Sequence, residues 1–317
     1  MNRRRRLGAT AVVAGAVLLI LVLLLRSCAP PATVTVVAAG DMACAMNDPD
    51  YGGGSGAHGN CQAKAVSDLA VALHPVALLG LGDYQFELPT ADAYATAYGK
   101  TWGRLRSVTI PARGNQEYKV HDANTFTDYF GTQAGDEAGY WSTDVGAWHV
   151  VVLDSNCTTV FAGCSKGSSE QKWLAADLAS NGSRCTVALM HHPRWSSGIA
   201  GDNQGVDALW RTLASNGVDL LLSGHEADYE RFPPLSATGE PDQHGLTEMV
   251  VGTGGQAHYR PETGGAGWRK RVVAHRSTFV DYDHHAVLAL TLRPDGWSSA
   301  LHTVGGGVED SHTGTCS

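Results

Sequence analysis

The sequence predicts a layered α/β domain, and three observations carry that expectation. Short apolar, β-rich runs recur from residue 34 onward, helical patterns lie between several of them, and 38 glycines in 317 residues mark many turns rather than long helices. The runs are Val34–Ala39, Val76–Leu81, Val108–Pro111, Trp148–Leu153, Thr186–Met190 and Val218–Leu222. Between them, Cys61–Leu73 places Ala65, Leu69, Ala72 and Leu73 at helical spacing. Ser169–Ala179 follows a capping Ser168 and gathers Trp173, Leu174 and Leu178 on one face, while Val206–Ala214 stops at Asn216-Gly217. Three later runs, around Met249–Val251, Ala286–Leu292 and Ser298–Val304, have no helices between them and are expected to pair in a second sheet.

The first segment reads differently. Arg3 to Arg6 precede an uninterrupted apolar run from Leu7 to Leu25, about the length that crosses a bilayer as a helix. Positive charge on its N-terminal side keeps Arg3–Arg6 inside and the remainder outside. We therefore expect residues 1–32 to be an anchor or signal segment with a short linker, and residues 33–317 to form the exported domain. Beyond Arg26 the chain carries 18 basic against 31 acidic residues. So acidic a body lacks the clustered Lys and Arg that bind phosphate backbones, which argues against long nucleic acid as a partner.

Seven cysteines fit an exported chain. Cys28 sits at the membrane edge, and the other six form an even set outside the cytoplasm, which reads as disulfides. Six cysteines allow 15 pairings. The local choices are Cys44–Cys61 and Cys157–Cys164, leaving Cys185–Cys316 to tie down the C-terminus. No C-x-x-C pair is present, so a zinc ribbon or thioredoxin-like site is not expected.

Potential metal ligands follow the strand ends. Val34–Ala39 runs into Gly40-Asp41, Val76–Leu81 into Gly82-Asp83, and Val108–Arg113 into Gly114-Asn115. Thr186–Met190 runs into His191-His192-Pro193, and Val218–Ser223 into Gly224-His225. The carboxyl ends of strands form the ligand-binding edge of α/β sheets, so five donors are expected along one rim. Oxygen and imidazole donors suit Zn, Fe or Mn rather than a soft copper site.

With these residues in place, the chain resembles the calcineurin-like metallophosphoesterases, most closely their purple acid phosphatase-like branch. The matching pieces are G-D-M-A at Gly40, G-D-Y-Q-F at Gly82, G-N-Q-E at Gly114, L-M-H-H-P at Leu189 and G-H-E-A-D-Y-E-R at Gly224. The resemblance implies a four-layer α-β-β-α fold, a β-sandwich flanked by helices. It implies hydrolysis of small phosphate esters with one or two metal ions, Fe, Zn or Mn, per chain. Asp83 would bridge two metals, Asn115, His191 and His225 would complete one site, and Asp41 would belong to the other.

The chain departs from that pattern at several positions. Phe86 stands where purple acid phosphatases carry a Tyr, Ala43 where other branches carry a His, and Ala227 where the family's G-H-x-H has its second His. None of these side chains offers a lone pair. Gln116 replaces the His of G-N-H-E and can donate a hydrogen bond but not act as an acid at neutral pH. His192, beside a ligand position, is the expected substrate contact. His58 and His258 read as exposed loop histidines, and Asp228, Tyr229, Glu230 and Arg231 as structural groups around the turn after His225.

Overall fold

A computed structural model describes residues 33–135, 138–159, 163–183, 185–258 and 276–316. The anchor expected at 1–32, with Cys28, lies outside them. Among the described residues no helix is long and apolar enough to cross a membrane.

Thirteen strands in the described residues form two sheets. The first has the order β13-β12-β11-β1-β2-β3, from β1 (Val34–Ala39), β2 (Ala77–Gly80), β3 (Thr109–Pro111), β11 (Ala286–Arg293), β12 (Gly296–Thr303) and β13 (Val308–Thr315). The second has the order β10-β8-β9-β7-β6-β5-β4. It is built from β4 (Trp141–Val145), β5 (Trp148–Val152), β6 (Cys185–Leu189), β7 (Leu220–Ser223), β8 (Tyr229–Arg231), β9 (Thr247–Val251) and β10 (Phe279–Asp281). The middle of each sheet is parallel: β1, β2 and β3 in one, β5, β6, β7 and β9 in the other.

Period-two alternation divides each central strand between two hydrophobic layers. Val36 and Ala38 of β1 face Val150, Val152, Val187, Leu189, Leu220 and Leu222 across the space between the sheets. Val37 and Ala39 point the other way, onto Val66 and Ala70 of α1 (Ala63–Ala72) and Phe126 and Phe130 of α2 (Asn124–Phe130). On the far side, Val151, Ala188 and Leu221 pack on Leu174 of α3 (Ser169–Ser180) and on Leu209 and Leu213 of α4 (Asp207–Ser215). The order helix, sheet, sheet, helix is the four-layer arrangement expected. Ser168 caps α3 as expected, its hydroxyl accepting from Gln171 N at 3.2 Å.

One expectation is overturned. The three late strands do not form a sheet of their own. β9 lies parallel to β7, whereas β11 and β12 form a hairpin attached antiparallel to β1. The burial patterns give the reason. β9 is buried at all five positions, as a strand covered on both faces must be, whereas β12 alternates buried with half-buried residues over most of its length. The three pairings of cysteines are those expected: Cys44–Cys61, Cys157–Cys164 and Cys185–Cys316.

Candidate metal centre

The five strand-end residues come from both sheets, not from one rim as the sequence alone led us to expect. Asp41, Asp83 and Asn115 follow β1, β2 and β3, while His191 and His225 follow β6 and β7. The loops interlock through backbone bonds. Gly40 N donates to Val251 O at 2.9 Å, Gly224 N to His191 O at 2.9 Å, and Gly254 N to Gly40 O at 2.9 Å. Asp41, Asp83 and His225 all adopt positive φ (56°, 53° and 72°), a region that non-glycine residues enter at a cost. That shared conformation turns each chain sharply at the strand end. Glycine is required where the loops touch: a Cβ on Gly114 would fall on the Asp83 carboxylate, and one on Gly82 would lie 2.7 Å from His191 Nδ1.

Four donor atoms meet at the centre. Asn115 Oδ1 lies 3.0 Å from His191 Nε2 and 3.0 Å from His225 Nδ1; the two ring nitrogens are 3.2 Å apart. Asp83 Oδ2 is 3.4 Å from His191 Nε2. His191 Nδ1 donates to Leu81 O at 2.8 Å, so in the neutral ring Nε2 presents a lone pair to the cluster. A tetrahedral ion with metal–ligand distances of about 2.0–2.1 Å holds its ligand atoms about 3.3 Å apart, so this set fits a Zn-sized cation. Asp41 forms a second group of facing donor atoms with Asp83 and His191, and its Oδ2 also accepts from His225 N at 2.8 Å.

The surroundings favour positive charge at that point. Burial opposes a charged His191, but Asp83 and Asp41 beside it outweigh the burial and raise its pKa to about 10. Burial and the neighbouring His191 drive His225 down to about 4. Burial, with Asp83 and Glu226 nearby, lifts Asp41 well above the usual carboxylate range despite the pull of His191.

Glu117 holds the arrangement together. Fully buried, it accepts from Asp83 N at 2.9 Å, Gly114 N at 2.7 Å, Tyr84 N at 3.0 Å and the Tyr94 hydroxyl at 3.3 Å. One carboxylate thus clamps the loop bearing Asp83 to the loop bearing Asn115. In return Gln116 N donates to Asp83 Oδ1 at 2.8 Å. In the sequence, the mark of this clamp is the Glu that closes G-N-Q-E, one residue after Gln116.

Phe86 is 9% exposed and Ala227 3% exposed, and neither carries a donor atom. The side-chain oxygen of Gln116 is buried without a hydrogen-bond partner among the described residues. His192 joins His191 and His225 in a cluster of ring nitrogens within 4.8 Å of one another. His58 is exposed as expected, with Nδ1 2.8 Å from Asp50. His258 is not: it is half-buried, its Nδ1 donates to Ala227 O at 2.7 Å, and its ring lies 4.1 Å from that of His285. Of the residues after His225, Tyr229, Glu230 and Arg231 make structural contacts, as expected. Tyr229 and Arg231 bind Asp310, and Glu230 accepts from Ser196 Oγ and Ser197 N.

Two facing sheets with carboxylate, amide and imidazole donors at their joint carboxyl ends define a metallophosphoesterase domain. Residues 25–229, more than half of the chain, match the profile of the calcineurin-like phosphoesterases, and the chain belongs to that family. It is 27% identical over 199 residues to purple acid phosphatase 22 of Arabidopsis thaliana, covering 55% of this chain and 44% of that protein. Purple acid phosphatase 21 of the same plant is 29% identical over 195 residues, covering 54% and 43%. The chain therefore spans less than half the length of these curated relatives. Among solved structures, the purple acid phosphatase PPD1 of yellow lupin (Lupinus luteus) superposes with a TM-score of 0.66 at 19% identity, covering 90% of this chain and 54% of that one. GAP50, the anchor in the inner membrane complex of Plasmodium, gives 0.60 at 13% identity, covering 90% and 89%. These two likenesses speak for the fold.

Replacing Glu117 by Ala leaves three buried backbone N–H groups without their acceptor, each costing about 1–3 kcal/mol. We expect Glu117→Ala to lower the denaturant midpoint by the equivalent of about 3 kcal/mol or more. A loss below about 1 kcal/mol in urea titration would refute the clamp.

Proposed function

We propose that this chain is an exported, metal-dependent phosphoesterase that hydrolyses small phosphate esters at a centre altered from the family's usual metal pair. The observation that carries this reading is the convergence of Asp83, Asn115, His191 and His225 donor atoms at 3.0–3.4 Å. Export is supported by the three disulfides and by the basic, then apolar, start of the sequence. The acidic body favours small substrates over nucleic acid.

A bound Zn, Mn or Fe ion supplies Lewis-acid polarisation of a phosphoryl oxygen and lowers the pKa of water. The chain's own residues do the rest. Asp83, Asn115, His191 and His225 would hold the ion, and Asp41, with Asp83 and His191, would face a second one. His192 contacts the phosphoryl group. Gln116 offers a hydrogen bond but no proton, so the leaving group departs as an anion. Esters with stable leaving anions, aryl phosphates above alkyl phosphates, are therefore the preferred substrates.

The full chain supplied with Mn, Zn or Fe should hydrolyse a chromogenic aryl phosphate, and Asn115→Ala should lose both bound metal and turnover. Turnover that persists in Asn115→Ala at unchanged metal content would refute the ligand assignment. A second reading, a relative that holds one metal or phosphate without turnover, is favoured by Phe86 and Ala227, whose side chains carry no lone pair. The double change Phe86→Tyr with Ala227→His separates the two. Where a catalytic ion is missing, restoring its donors should raise metal content and increase turnover by about 10²–10³, the range for one lost electrostatic contact. An unaltered protein that already turns over at the double variant's rate would contradict this.

A further inference from the structure

The loops that carry Asp41 and Asp83 leave the metal centre as a paired ribbon. Asp41 N donates to Gly82 O at 3.2 Å, Met42 N to Asp83 O at 3.0 Å and Ala43 N to Tyr84 O at 3.1 Å. Phe86 N then donates back to Ala43 O at 2.8 Å. Buried Gln85 fixes the ribbon further: its Nε2 donates to Cys44 O at 3.0 Å and its Oε1 accepts from Tyr98 N at 3.2 Å. The Cys44–Cys61 disulfide ties down the other side.

At its outer end the ribbon borders a pocket of about 550 Å³, a size that suits a small molecule. Met46, Phe86 and Leu88 supply its large apolar walls. Large apolar side chains are left exposed at four described positions, and two of them, Met46 (38%) and Leu88 (55%), are here. Exposed apolar surface gathered in one concavity marks a place that a ligand covers. The charged lining residues are Asp48 and Glu87, and no Lys, Arg or His is among them. Glu87 is exposed; Asp48 is half-buried, its Oδ1 accepting from Asp50 N at 2.7 Å. Such a lining is complementary to an aromatic ring that carries a positive charge. The ring covers Met46 and Leu88, and the charge is drawn by the two carboxylates and by the face of Phe86. The metal centre is within reach. A residue of chain spans at most about 3.6 Å, so the Cα atoms of Phe86 and Glu87 lie within about 11 and 14 Å of that of Asp83.

We propose that this pocket receives the alcohol part of the ester and selects phenols that carry an ammonium group, with Asp48 and Glu87 as the specificity-determining residues. The proposal rests on the phosphoesterase reading for the phosphate that is cleaved. It deepens that reading by naming which aryl phosphates the centre prefers, those whose leaving phenolate bears a cation.

The test supplies the metal-loaded full chain with tyramine phosphate, whose phenol bears an aminoethyl arm, and with para-ethylphenyl phosphate, which has the same ring without the charge. The ratio of their kcat/KM values should favour tyramine phosphate about fivefold, the scale of two exposed ion pairs, and should shrink in high salt. The double variant Asp48→Asn/Glu87→Gln should bring the ratio to about one by slowing tyramine phosphate alone, and Glu87→Lys should invert it. Binding is read separately, by methyl NMR of the metal-free chain titrated with tyramine. The Met46 and Leu88 methyl signals should shift in the unaltered protein and stay in place in the double variant. A ratio near one in the unaltered protein, a ratio that the double variant leaves unchanged, or methyl signals that tyramine does not move would overturn the proposal. Methyl shifts that the double variant abolishes, beside no turnover of either ester, would count against the phosphoesterase reading alone and uphold the pocket as an ammonium-phenol site.

Discussion

The carboxylate of Glu117 is the constraint on which the centre depends. It receives hydrogen bonds from Asp83 N, Tyr84 N, Gly114 N and the Tyr94 hydroxyl, so the ends of β2 and β3 cannot move independently. Asp83 and Gly114 lie so close that no side chain fits at 114, and Gln116 N returns a bond to Asp83 Oδ1. Burial raises the pKa of Glu117 to about 7, with Asp83 adding to the effect; the four donors are what keep this carboxylate inside. The loop after β1 locks onto this pair through backbone bonds from Asp41 N to Gly82 O and Met42 N to Asp83 O, while those after β6 and β7 bond to each other and reach it through His191 Nδ1 on Leu81 O and His225 N on Asp41 Oδ2.

A candidate metal site assembled across two sheets goes with strands that are themselves apolar. Each central strand is buried on both faces, between the inter-sheet core and a helical layer, so chemistry can appear only at the strand ends. This made the candidate donors legible in sequence: Asp41, Asp83, Asn115, His191 and His225 each stand at or shortly after the end of an apolar run. Their number and order were readable for the same reason. That they come from two sheets was not, because strand partners several dozen residues apart leave no local periodicity. β9 illustrates the limit. Its five buried residues read as a strand, but nothing near them in the chain says that the partner is β7.

Hydrogen-bond roles were less legible than ligands. Glu117 stood beside Gln116, and only folding shows what its carboxylate accepts. His258 was misjudged for a related reason. A histidine after G-T-G-G-Q-A reads as a loop residue, yet the loop folds back over Ala227 and draws the ring inside. At Phe86 and Ala227 the reverse holds. Their lack of a lone pair is a property of the residue type and is plain from the sequence.

The proposed centre is asymmetric, with Asp83, Asn115, His191 and His225 as the proposed ligands of one ion and Asp41 as the sole added donor for another. The most direct measurement is an anomalous-scattering map of crystals of the metal-loaded protein, recorded at the absorption edge of the metal supplied. The account predicts one strong peak enclosed by Asp83, Asn115, His191 and His225. Two peaks of equal height, one of them beside Asp41, or no peak at the four-residue site, would contradict it.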